Sequence, residues 1–559
     1  MSQASAAGAV SQRGAVPLAL SSVSESARRE LVFGLVVPLG VEKDVVTKIL
    51  RQSLNMAGYK SRIVKISSLL REYASHIAAI DDAEPLERKR LLMNLGDQLR
   101  RGWDAYNERA QKRGEFGAVL AISGIHQHRA RLNAVRAVKA TQQRPLDVVP
   151  VNNFAYIVDS LKHPDELDHL RRVYGPAFIS IGVYSPPERR RHDLALDALD
   201  TSQAEAVDSL MRRDEVDTKL GQRVGDAFYA TDFIVDATKD SDYIRPELDR
   251  LVRLLFGDVF ITPTVDEYGM FLARAAQARS GSMARQIGSA ILRDDGSVVG
   301  AGTNEVAKPL AGGQYWPPDD AAYEGRDMVY RMKENDPVRD SSDWFREEMI
   351  STVISALNEA DLLPKKFRKM KPQQRLDLLY RNEAAPLRNT RIKDNIDYIR
   401  AVHAEAAAII DAARHGVSVK DSRLLSTTFP CHECARHIVA AGITEVVYLE
   451  PYPKSGTKRL YRDSIALDPG EPDGKRVTFR TFIGVAPTRY LEFFTLGHRA
   501  RKNSEGTPIT IDIGSVAPAL PYYTPSEASI AQAETVPLKL FQEFTDTVLK
   551  TGGLNEQSP

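Results

Sequence analysis

His403-Ala404-Glu405 and, after a gap suited to a helix, a loop and a strand, Pro430-Cys431-His432-Glu433-Cys434 are the stretches on which the reading of this chain turns. The 559-residue sequence has two cysteines, and both lie here. One imidazole and two thiolates are the donor set of a zinc site that keeps its fourth position open for water, and a nearby carboxylate outside the ligand set can carry protons. Cys431 and Cys434 are three apart, so a helix starting at Cys431 places both sulfurs on one face of its first turn. There the free N–H groups and the helix dipole favour thiolates. His403 and Glu405 are two apart and would diverge in mid-helix; they serve one site only if a helix begins at His403 and the site faces its end.

Two other readings start from the same residues. A C-x-x-C in a reducing compartment can be a redox dithiol, and His432 or His437 could complete a structural zinc site. The order of the two stretches, with Pro430 ahead of the first cysteine, favours an open catalytic zinc site. Leu424–Phe429 reads as the strand that delivers Pro430-Cys431, the helix after it runs towards Ala441, and Glu445–Glu450 is a second strand, so the cysteines sit inside a β-α-β unit.

Upstream, Tyr268–Ala278 has helical character, and Asp295-Gly296 marks the turn of a hairpin between Ala290 and Gly302. Asn304 stands just beyond the second hairpin strand. Residues 314–400 are Pro-rich and highly charged and read as a helical insertion, with one helix over Trp344–Ala360.

The N-terminal half has another organisation. Glu30–Gly40 reads as a buried strand entering a glycine turn, and Glu42–Met56 carries Val45, Val46, Ile49, Leu50 and Leu54 at helical spacing. Strand, glycine turn and helix form the layout that aims backbone N–H groups at phosphate oxygens, with Gly34, Gly40 and Lys43 as the candidate cradle. It departs from G-x-x-x-x-G-K-[ST]: Lys43 is displaced, and Asp44 stands where a hydroxyl would hold magnesium. The loop reads equally as a nucleotide-binding turn without efficient phosphoryl transfer and as an ordinary tight turn between a strand and a helix. Further strands are expected at Tyr59–Ile66, Asn153–Asp159, Phe178–Tyr184 and Asp232–Asp236. Most of Leu69–Arg113 reads as helix, as does Pro246–Phe256. Between Phe116 and Leu146, Arg129, Arg131, Arg136, Lys139 and Arg144 accumulate without an acidic residue, the pattern of a solvated helix face. Strand order and Arg189-Arg190-Arg191 resemble P-loop nucleotide kinases with an Arg-rich lid.

Composition bounds these readings. Hydrophobic residues at 43% and charged residues at 27% describe a globular chain long enough for two domains, and a net charge of +1 gives no chain-wide grip on nucleic acid. No apolar run reaches the roughly 18 to 20 residues that span a bilayer. The Ser-, Ala- and Gly-rich residues 1–25 read as a flexible tail and not as an export signal, so a cytoplasmic setting is expected. The expected organisation is α/β throughout: residues 26–257 as a P-loop kinase-like domain on a parallel sheet, and residues 258–550 as an α/β/α zinc domain with the insertion.

On these residues the segment from about 262 to 470 resembles the deoxycytidylate deaminase branch of the cytidine deaminase superfamily. The two-part layout is similar to the bacterial anti-phage dCTP/dCMP deaminases, which join a degenerate kinase-like domain to a deaminase domain. The resemblance implies one Zn²⁺ per protomer on His403, Cys431 and Cys434, with Glu405 as proton shuttle. It implies that Arg285, Asn304 and Tyr461 hold sugar or phosphate, and that deoxycytidine nucleotides are the substrates. A homo-oligomer, a nucleotide effector at the N-terminal domain, an inhibitory small RNA and defence by draining the dCTP pool follow from the same likeness. A deaminase acting on a base within DNA or RNA, and a nucleotide-sensing switch without catalysis, are the competing classes.

Overall fold

The computed structural model describes residues 28–72, 80–107, 114–139, 148–196, 204–215, 221–310, 312–314, 330–333, 336–382, 385–390, 392, 398–452, 455–469, 472–497, 499–521 and 525–549. The expected N-terminal tail lies outside them, as does part of the insertion.

Two six-stranded sheets carry the described chain. The first contains β1 (Leu31–Val36), β2 (Lys60–Lys65), β3 (Phe154–Leu161), β4 (Phe178–Tyr184) and β5 (Phe233–Asp236). The second contains β6 (Gly288–Leu292), β7 (Val298–Thr303), β8 (Arg423–Thr428), β9 (Glu445–Glu450), β10 (Ile465–Leu467) and β11 (Val477–Thr481). A short β12 (Gly484–Val485) then returns to the first sheet, whose order is β12-β5-β4-β1-β3-β2. All its pairings are parallel except β12 with β5. β1 sits at the centre and is buried along its whole length, which is why it reads as one apolar run and not as an alternating strand. Leu31, Phe33 and Leu35 face a core shared with the Asp44–Met56 and Ser241–Leu255 helices, while Val32 and Val36 face the Phe116–Lys139 helix.

The second sheet has the order β10-β11-β9-β8-β6-β7. β6 runs antiparallel to both β7 and β8, and β8, β9, β11 and β10 are parallel. The expected hairpin turns at Gly296, whose φ of 82° suits a residue without a side chain. The Val265–Gln277 helix contributes Met270 and Ala273 to the core on one face, against Leu425, Val447 and Leu449. Ala408, Ala412, Ala435 and Ile438 pack with Leu424, Val446 and Phe479 on the other. This is the α/β/α layering expected around the zinc motif.

A single boundary near residue 258 does not divide the chain in space. β12 closes the first sheet, and the N–H of Val485 donates to Glu267 at 2.8 Å, a carboxylate that also takes Arg250. The Glu527–Phe544 helix lies on the first half, setting Phe541 and Phe544 against Trp103 and Phe116. The basic run is corrected at one position: Arg129 is fully buried, bonded to Glu30 at 2.5–3.1 Å and to Glu534 of the Glu527–Phe544 helix at 2.6 Å, while Arg131 is exposed as expected. The missing signal was long-range, since the acids that balance Arg129 come from both ends of the sequence. Side chains 135–139 and residues 140–147 lie outside the described set.

Smaller differences have local causes. The helix expected from Pro246 begins at Ser241, because the Asp240 carboxylate accepts the N–H groups of Asp242 and Tyr243 at 3.1 Å and caps it. The long charged stretch after Leu69 is described as helices over Ile66–Arg71 and Pro85–Tyr106. In the insertion, the Ser341–Glu359 helix packs Ile350 and Ile354 against Leu376 and Tyr380.

Candidate active site

The site forms where two helices start side by side above β8. The Ala404–Arg414 helix begins after His403, which is its N-cap with extended backbone (φ −64°, ψ 150°), and Glu405 lies in its first turn. That geometry meets the constraint set by the spacing: the imidazole leaves from the helix end, and the carboxylate can reach the same point. The helix lies close over β7 because Gly300 and Gly302 have no side chains. A Cβ on Gly302 would stand 2.3 Å from the Ala404 carbonyl oxygen and 2.4 Å from the Ala408 nitrogen. The second helix, His432–Ala440, is capped by Cys431, whose sulfur accepts the N–H of Cys434 at 3.4 Å.

His403 Nδ1 lies 3.2 Å from Cys431 Sγ and 3.4 Å from Cys434 Sγ, and the three donor atoms fall within 4.8 Å of one another. Tetrahedral zinc with ordinary Zn–N and Zn–S bonds requires N···S separations of about 3.6 Å, so the donor set fits that ion in type and in spacing. Glu405 is 3% exposed, and Ser426 Oγ on β8 donates to its Oε1 at 3.3 Å. Burial raises the Glu405 carboxyl, and the Cys431 thiolate raises it further. Hydrogen bonds from Cys434 and His403 bring the Cys431 thiol down to about 4, whereas Cys434 is pushed up by its hydrogen bond to Cys431 and by burial. A divalent cation between them reverses the second shift, since a coordinating thiol is deprotonated outright.

The other expected site residues occupy distinct places. Arg285 forms an ion pair with Glu450 and donates to Thr428 Oγ1 at 3.3 Å, at the C-terminal end of β8 that leads to Cys431. Asn304 is buried, and its amide is engaged by backbone: it donates to the Arg285 carbonyl and accepts from Ile287 N–H, both at 2.6 Å. Its contribution is to hold the segment that carries Arg285. Tyr461 packs against the apolar cluster containing Ile438, Ile465 and Phe479. In the first half, Gly34 lies inside β1, where a Cβ would meet Leu161 and Phe178 below 3.0 Å, so it belongs to the sheet and not to the turn. Gly40 makes the turn with φ 86°, and Lys43, the N-cap of the next helix, pairs with Asp159 at 2.5 Å.

Sequence reasoning passed over Ser426, whose position beside Glu405 depends on the register of β8. It also missed Ser455 and Thr457, whose hydroxyls donate to the Pro430 carbonyl at 3.0 and 3.3 Å and brace the peptide ahead of Cys431.

An N/S/S donor set beside a buried carboxylate, on the ends of two helices over a mixed sheet, is the arrangement a hydrolytic zinc site requires. Residues 263–450 match the family described as the cytidine and deoxycytidylate deaminase zinc-binding region. Among curated relatives, a probable deoxycytidylate deaminase of Drosophila melanogaster is 46% identical over 63 residues, covering 11% of this chain and 29% of that protein. The deoxycytidylate deaminase of Enterobacteria phage T2 is 43% identical over 54 residues, 10% of this chain and 29% of that protein. That of Pongo abelii is 30% identical over 122 residues, 21% of this chain and 62% of that protein. The chain therefore spans less than two thirds of each of these relatives. Among solved structures, the dCMP deaminase of cyanophage S-TIM5 in complex with dCMP and dUMP shares 14% identity at a TM-score of 0.21, over 40% of this chain and 100% of that one. Among the described residues, no helix is long and apolar enough to cross a membrane.

Proposed function

We propose that the protein is a zinc-dependent hydrolytic deaminase of free deoxycytidine nucleotides, converting dCMP, dCTP or both to the uracil nucleotide and ammonia. The observation that carries this reading is the convergence of His403, Cys431 and Cys434 within 4.8 Å beside the buried Glu405. Zinc held by these three donors supplies the acidity that brings the pKa of a water towards 7. Glu405 does the proton work. Its buried carboxylate accepts a proton from the attacking water and delivers it to N3 of cytosine as a C–O bond forms at C4; it then takes the proton of the new C4 hydroxyl and passes it to the amine, so that the C4 carbonyl forms as the C–N bond breaks and ammonia leaves. Ser426 fixes the carboxylate orientation, and burial keeps bulk water from short-circuiting the transfer. Arg285, paired with Glu450 at the strand end, is the candidate for the substrate phosphate.

Free nucleotide is preferred to polymer because the net charge of +1 gives no chain-wide cationic surface for a polyanion. Drainage of the dCTP pool as an anti-phage defence is proposed on the family resemblance. The test is chromatography of dCMP, dCTP, CTP and cytidine after incubation with zinc-loaded protein and with Glu405→Gln. The expected result is a deoxyuridine nucleotide formed by the wild type, with turnover down by about 10²-fold or more in a variant that still holds zinc. Undiminished turnover in Glu405→Gln, or editing of oligonucleotides with none of the free nucleotides consumed, would refute the reading. A phage-plating comparison of the same two proteins tests the defence role.

A further inference from the structure

The turn between β1 and the Asp44–Met56 helix has the layout of a phosphate cradle, yet an anion of the chain itself is bound to it. The N–H of Leu39 donates to Asp214 Oδ2 at 2.7 Å. The other oxygen, Oδ1, takes Lys162 Nζ at 2.9 Å, and the same ammonium donates to the Val37 carbonyl at 2.7 Å. Asp214 is fully buried and stands in the last turn of the Ala204–Glu215 helix. Its neighbour Glu215 pairs with Arg190 at 2.5 Å, and Arg190 donates to the Leu39 carbonyl at 3.4 Å. One helix end thus grips both backbone groups of Leu39, the N–H directly through Asp214 and the carbonyl indirectly through Glu215 and Arg190.

Beside this contact lies a cavity of about 500 Å³ lined by Gly40, Lys43, Asp159, Lys162, Asp214 and Gln222. Both lysines in that group have carboxylate partners, Lys43 with Asp159 and Lys162 with Asp214. Gln222 is 6% exposed, and its Oε1 has no hydrogen-bond partner among the described residues, so the cavity offers an acceptor to a ligand N–H or O–H.

We propose that Asp214 is an internal stand-in for a ligand phosphate, and that a phosphate-bearing ligand with an N–H or O–H donor, of the nucleotide class, enters this cavity by displacing it. The exchange conserves the contacts: a carboxylate leaves the Leu39 N–H and Lys162, and a phosphate oxygen takes both. Displacement also pulls Glu215 from Arg190, so that ligand entry and release of the Ala204–Glu215 helix are one event. The affinity of the wild type is reduced by the fraction of time the carboxylate is in place. This inference concerns the first half of the chain and is independent of the deaminase reading.

The test measures binding of inorganic pyrophosphate and of ATP to the full chain by calorimetry, with no turnover required. Asp214→Asn removes the competing charge and frees Lys162. It is expected to bind about tenfold or more tighter than the wild type, and Lys162→Met in that background should abolish the gain. An Asp214→Asn protein that melts like the wild type and binds no tighter overturns the proposal. Should the variant fail to fold, hydrogen exchange on the wild type decides: saturating pyrophosphate should slow exchange over residues 37–43 and speed it over 204–215. Slowing of both segments, or change in neither, overturns the proposal as well.

Discussion

Arg129→Met is the sharpest test of how the two ends of this chain are joined. The guanidinium is fully buried and donates three times to Glu30 and once to Glu534, while Val151 N–H also donates to Glu30 at 2.8 Å and the Tyr174 hydroxyl to the other Glu534 oxygen at 2.7 Å. Removing the only cation of this triad leaves two buried carboxylates facing each other, and breaking such a pair costs about 3–5 kcal/mol. That is a large part of the roughly 5–15 kcal/mol that holds a typical domain folded. The loss has a definite pH dependence. Burial already raises the Glu30 carboxyl, and Arg129 opposes that rise. Without Arg129, the Glu30 carboxyl holds its proton more tightly folded than unfolded. Stability then falls as pH rises from the unfolded carboxylate value of about 4.3 towards the raised folded value, and the penalty shrinks below that window. Urea unfolding at pH 7 and pH 4 measures both effects, and Glu30→Gln with Glu534→Gln in the Arg129→Met background should recover part of the loss. A loss below about 1 kcal/mol at pH 7, or an equal loss at both pH values, would refute the account.

Other outcomes follow from single contacts. Gly302→Ala should push the Ala404–Arg414 helix off β7, since the new methyl meets helix backbone and not a movable side chain; zinc content and turnover should fall together, measured by metal analysis and the nucleotide assay. Cys434→Ser should lower zinc affinity by orders of magnitude while leaving the melting of the first half near wild type, read by competition with a chelator. Burial pushes the Glu347 carboxyl up, but hydrogen bonds from Arg339 and Arg381 outweigh it and bring it down to about 2. Its contribution to the insertion is therefore present above about 4.3 and is lost as pH falls towards 2, and Glu347→Gln should flatten the acid limb of a melting-temperature profile.

The clustering of His403, Cys431 and Cys434 was legible because its constraints are local: ligand types, a spacing of three for the cysteines, and a spacing of two that forces His403 onto a helix end. The central strands were legible for a similar reason, being apolar runs bounded by turns. What escaped the sequence depends on partners far away in the chain. Arg129 reads as a surface charge until Glu30 and Glu534 are brought to it, and Asp214 is an unremarkable helix residue until the Leu39 peptide meets it. Asn304 shows a different limit. A buried amide at a strand end suits a ligand or a loop equally well, and here its polar atoms reach the backbone of Arg285 and Ile287.

The return of the C-terminal segment to the first sheet bears on how the protein is made. While a ribosome is still adding residues beyond 300, β5 has an open edge, because its neighbour β12 is residues 484–485. Trp103 and Phe116 lack the cover that Phe541 and Phe544 bring, and the Glu30–Arg129 pair lacks Glu534. The first half to emerge is thus among the last to be finished. A chain released early would expose a strand edge and an aromatic cluster together, a combination that aggregates.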